Sequence, residues 1–143
     1  MEKLVRKYYC WFSLIFLIIG MSIYLFFRGL NIILFEWIPK PTILGMFYKH
    51  LPSSAFTGIL LYNLPDMLWF LSGLLLLRFI WFYNRKWQSI YIYCFYGVAL
   101  IFETMQLFNN IPGTFDIMDL FFMGIGALLE GLLYKRLIYR RFI

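Results

Sequence analysis

Four stretches of this chain, about 8–27, 64–83, 88–108 and 115–134, are almost unbroken runs of apolar and aromatic residues. Each is close to the roughly 20 residues a helix needs to cross a hydrocarbon core. The pattern predicts an all-α polytopic membrane protein, a bundle of about four transmembrane helices in a single membrane domain over 1–143. Asn84-Arg-Lys86 and Pro112-Gly113 make short turns, so the second and third runs, and the third and fourth, become antiparallel neighbours. Segment 28–63 is different. Pro39, Pro41, Pro52 and Pro65 punctuate or close it, which argues against another straight span. Its aromatics, among them Phe35, Trp37, Phe47, Tyr48, Phe56 and Tyr62, suit an interfacial outer segment, either a loop with short helices or a lid over the bundle. In the last run Gly124, Ala127 and Gly131 recur at helical spacing and predict a close helix contact.

Composition agrees with the pattern. The chain has 143 residues, 63% hydrophobic and only 14% charged, which leaves no room for a separate soluble domain. The net charge of +6 sits mostly at the ends of the apolar runs. That placement fits anionic lipids at the cytoplasmic face better than a nucleic-acid groove, so the expected partners are the bilayer and its lipids, with no nucleic acid. Lys3, Arg6 and Lys7 precede the first run, which ends in Leu25-Phe-Phe-Arg28 without a small-residue cleavage site, and so reads as a retained signal anchor. With the N-terminus inside, Lys3, Arg6, Lys7, Arg85, Lys86, Lys135, Arg136, Arg140 and Arg141 are cytoplasmic, against Arg28, Lys40 and Lys49 outside. This bias predicts a multi-pass protein with both termini in the cytoplasm. Cys10 and Cys94 have no metal-ligand spacing and read as small buried hydrophobes, and His50 is a lone loop histidine. No metal site and no cofactor is expected.

The chemistry that stands out is polar and sits near the outer ends of the runs. Glu103 and Gln106 are three apart on one helical face, as are Asp116 and Asp119 at the start of the last run. Asp66 opens the second run and Arg28 ends the first, so ionisable groups from four helices converge at one level. Ionisable groups in such segments are costly and are candidates for function by default. Capping at helix N-termini accounts for Asp66 and Asp116. Glu103 and Asp119 lie deeper, either as protonated structural glue or as functional groups, and Arg28 is expected to neutralise the cluster. Arg78 and Glu130 lie about a turn from the cytoplasmic ends of parallel helices, where they either pair or leave Arg78 to snorkel.

Glu103-x-x-Gln106, then Pro112-Gly113-Thr-Phe-Asp, then Asp119 with Gly126-Ala127 beyond it, resembles the C-terminal signature of VanZ-like membrane proteins. Asp66 also matches an acidic position of that family, and the resemblance covers Leu64 to about Gly131. The chain departs from the pattern at Thr114, where an arginine is usual, at Met123 in place of an asparagine, and at Met67 and Phe70 in place of a lysine and a histidine. The resemblance implies a bacterial inner (plasma) membrane protein of about four helices, in a family whose best-known member is linked to teicoplanin resistance.

Arg28, Asp66, Glu103, Gln106, Thr114, Asp116 and Asp119 are therefore the candidate binding residues, for a lipid headgroup or an envelope-precursor or glycopeptide-like ligand. No nucleophile is paired with a base and no phosphate loop or HExxH occurs, so no catalytic residue is assigned. The alternatives are a membrane-embedded enzyme on a lipid-linked envelope substrate, with Glu103 or Asp119 as acid/base, and a small proton- or cation-handling transporter subunit, where oligomers are allowed. Transport ranks last because the inner half offers only Glu130 as an acidic group.

Overall fold

In the computed structural model, residues 2–27, 55–108 and 115–139 are described, 55, 56, 138 and 139 by backbone alone. They form four helices: α1 (Glu2–Phe27), α2 (Ala55–Ile80), α3 (Arg85–Leu107) and α4 (Ile117–Tyr139). All four are long and apolar enough to cross a membrane. The all-helical expectation holds, with no strand among the described residues.

Helix bounds differ from the apolar runs in instructive ways. α1 starts at Glu2, six residues ahead of the run, because the charged lead-in continues the same helix and its side chains can reach the headgroups. α2 starts at Ala55, so 55–63 is helix rather than the end of an irregular segment, and Pro65 lies inside it. A proline costs about 3 kcal/mol in an exposed helix interior, but neighbouring helices make it tolerable inside a membrane bundle. Pro65 is fully buried, and two residues earlier the Asn63 side-chain amide donates to the Ile59 carbonyl at 2.7 Å. The remaining part of the interfacial segment, 28–54, lies outside the described residues. α3 starts at Arg85, where the Asn84 side chain caps it by accepting from the Trp87 N–H at 3.3 Å.

α2 is the centre of the bundle. Leu71, Leu74 and Leu75 are fully buried, and α1, α3 and α4 each pack against it. Against α1, Ser13 and Ser72 each donate to the other's carbonyl at 2.9 Å, so two small residues draw the helices together. Gly20 faces the Trp69 ring and the Pro65 carbonyl, where a Cβ would stand 3.2 Å from that oxygen. Against α4, the close approach is at Gly126, whose Cβ would lie 3.3 Å from the Met67 carbonyl. This corrects the expected contact face, since a Cβ on Gly124 or Gly131 would meet nothing. The cysteine expectation is also corrected: Cys94 is exposed and Cys10 is half-buried, both free.

The bundle has two chemically distinct ends. Lys3, Arg6 and Lys7 of α1, Arg78 of α2, Arg85 and Lys86 of α3, and Lys135 and Arg136 of α4 share the basic end. Asp66, Glu103, Asp116 and Asp119 belong to the other, acidic end.

Candidate functional site

The site at the acidic end is built by one stripe of α3. Gln88, Ile92 and Glu103 are the buried residues of that helix, spaced 4 and 11 apart, so a single face turns toward α2. Between them, the Phe95 ring covers Gly73 and stacks on Phe70 at 5.3 Å, and Tyr96 meets Phe70 at 5.6 Å. Beyond Phe70, α3 and α4 leave an apolar cleft of about 220 Å³ between Tyr96, Ala99 and Leu100 on one side and Leu120, Met123 and Ala127 on the other. Glu103 stands one turn beyond Ala99, and Asp119 adjoins Leu120, so the carboxylates lie at the acidic mouth of this cleft.

Glu103 is 8% exposed, and its Oε2 has no hydrogen-bond partner among the described residues. Buried polar atoms are nearly always partnered, so an orphan of this kind requires an explanation. Among the described residues, the charged groups around it are carboxylates, Asp119 first, then Asp66 and Asp116. The structure therefore brings together the acidic residues that the sequence placed at one level. Gln106, half-buried, follows Glu103 by one turn. Arg28 and Thr114 lie outside the described residues, as does the neutralising role expected of Arg28.

Two of the local readings change. Asp66 is eleven residues beyond the start of α2, so it does not cap a helix. Asp119 occupies the first turn of α4, where the helix dipole favours negative charge, so it is less anomalous than its depth in the sequence implies. Asp116 is the cap, accepting from the Met118 N–H at 2.9 Å. Glu103 and Asp66 are left as the acids that helix geometry does not explain, and of the two it is Glu103 that carries the buried oxygen without a described partner.

The basic end holds a second polar cluster, in which Arg78, Glu130 and Gln88 are hydrogen-bonded to one another while the buried Tyr9 hydroxyl has no partner among the described residues. Arg78 Nε donates to Glu130 Oε1 at 2.6 Å, Nη2 donates to Oε2 at 3.4 Å, and Nη1 donates to Gln88 Oε1 at 2.9 Å. The guanidinium lies 3.7 Å from the centre of the Tyr134 ring, and Arg85 donates to the Tyr134 hydroxyl. Gln88 Nε2 returns to the Arg78 and Trp81 carbonyls at 3.2 and 3.4 Å. Pairing, rather than solitary snorkelling, is thus what Arg78 does. Gln88 escaped the sequence reading, although its place on the stripe with Ile92 and Glu103 was a usable signal.

Four apolar helices around a central α2, with a hydrogen-bonded cluster of Arg78, Glu130 and Gln88 at one end and a group of carboxylates at the other, define a small multi-pass membrane protein. The VanZ/LLP1 family profile matches residues 8–139, nearly the whole chain, and the chain belongs to that family. The match takes in α1 as well as the part that carries the signature. No curated protein matches the chain, and no solved structure does.

Proposed function

We propose that this chain is a bacterial inner-membrane protein, with both termini in the cytoplasm, whose acidic end faces outward and binds the polar part of a lipid or of an envelope-precursor or glycopeptide-like ligand. The observation that carries this reading is Glu103: a buried carboxylate oxygen without a described partner, among three further carboxylates, at the mouth of an apolar cleft. Such a mouth suits a ligand that offers an amine or several N–H and O–H donors to the carboxylates and an apolar portion to the cleft. Every described basic residue lies at the opposite end of the bundle. The link of the family's best-known member to teicoplanin resistance supports a role in surviving attack on the envelope.

The test is survival under glycopeptide challenge in cells carrying Glu103→Gln, Asp119→Asn or both, with membrane levels of the protein measured in parallel. Near-isosteric amides keep the capacity of a protonated acid for hydrogen bonding but cannot hold a cationic group. Loss of protection at unchanged membrane levels is the expected result. Full protection by the double variant would reduce the cluster to structural glue.

A further inference from the structure

An opening at the basic end has no part in the site above. It is a cavity of about 570 Å³ between the first three turns of α1 and the end of α2. Lys3, Arg6 and Lys7 stand at its polar end, Cys10, Trp11 and Leu14 continue along α1, and no acidic side chain among the described residues lines it. Arg6 is held in place: its Nε donates to the Phe79 carbonyl at 3.3 Å, and its guanidinium lies 4.7 Å from the Phe79 ring and 5.3 Å from that of Tyr83. Lys3 and Lys7 are exposed. From Lys3 to Leu14 an α-helix rises about 16 Å, which is roughly half of a ~30 Å hydrocarbon core. One end of the groove is therefore cationic at headgroup level, and the other is apolar and reaches toward the bilayer midplane.

We propose that this cavity seats one anionic phospholipid, with its phosphate among Lys3, Arg6 and Lys7 and an acyl chain along Cys10, Trp11 and Leu14. In the orientation proposed above, the lipid belongs to the cytoplasmic leaflet. A diffuse attraction of basic ends to an anionic surface needs no cavity. A seat with a fixed arginine, a polar end and an apolar floor binds one molecule and distinguishes its head from its tail.

The test is native mass spectrometry of the full chain in detergent with added phosphatidylglycerol or phosphatidylcholine. One phosphatidylglycerol should be retained in preference to phosphatidylcholine. Lys3→Gln with Lys7→Gln should weaken that retention about tenfold. Removing the same charge outside the cavity, by Lys135→Gln with Arg136→Gln, should change it less than about twofold. Leu14→Trp, which fills the apolar floor and leaves the charge unaltered, should also weaken it, and melting temperatures in the lipid-free state would show that each variant folds. Inorganic phosphate or glycerol phosphate at the same concentration should not compete. Equal losses in the two double variants, equal retention of the two lipids, indifference to Leu14→Trp or competition by a soluble phosphate would each overturn the proposal.

Discussion

Glu130→Ala tests the paired cluster at the basic end most directly. The side chains of Arg78 and Glu130 are 13% and 3% exposed, so the substitution removes a partner from a desolvated cation. Breaking a buried pair in this way costs about 3–5 kcal/mol. Arg78 keeps its bond to Gln88 and the face of Tyr134, which places the expected loss near the lower bound, about 3 kcal/mol. Replacing both partners together, as Arg78→Met with Glu130→Met, should cost less than the single change, because no charge is then stranded. Reversible unfolding in mixed micelles, read by tryptophan fluorescence and run as a double-mutant cycle, measures the coupling. Strict additivity, or a loss below about 1 kcal/mol for Glu130→Ala, would refute the reasoning and return Arg78 to the headgroups as a solitary snorkelling cation.

Gly126→Val should destabilise the bundle, since a Cβ there already stands 3.3 Å from the Met67 carbonyl, whereas Gly131→Ala should be neutral or gain up to about 1 kcal/mol from helix propensity. Thermal unfolding of the two variants compares them, and equal losses would show that the α2–α4 contact is not close-packed at Gly126. Reporter fusions at the two termini should both read as cytoplasmic, and one inserted beside His50 should read as external. A C-terminus on the opposite side would mean that the number of spans is odd.

Much of the fold was legible because a bilayer imposes one dominant rule: apolar runs of the right length become helices. The pairing of Arg78 with Glu130 was also legible, because helix directions and positions along two spans fix relative depth. What the sequence hid depends on neighbours. Pro65 reads as a boundary in isolation, and only packing against α1 shows why the helix runs through it. That misreading carried Asp66 with it, from mid-helix to an imagined N-terminus. Gly124 and Gly126 differ by two residues and so face different sides, and spacing alone chose the open one. At the acidic end the sequence gathered the right carboxylates but ranked Asp119 with Glu103. Only the start of α4 separates the acid that a helix dipole favours from the one that nothing local explains.

The separation of the basic-end partners along the chain has a consequence during synthesis. Glu130 follows Arg78 by 52 residues and Gln88 follows it by 10. At about 5–20 residues per second, the arginine exists for roughly 3–10 s before its carboxylate has been made. The amide is available within about 2 s at the slowest of those rates, on a helix joined to α2 by a short turn. Gln88 is thus the first intramolecular partner for a cation entering the bilayer, and the ribosome delivers the amide before the acid.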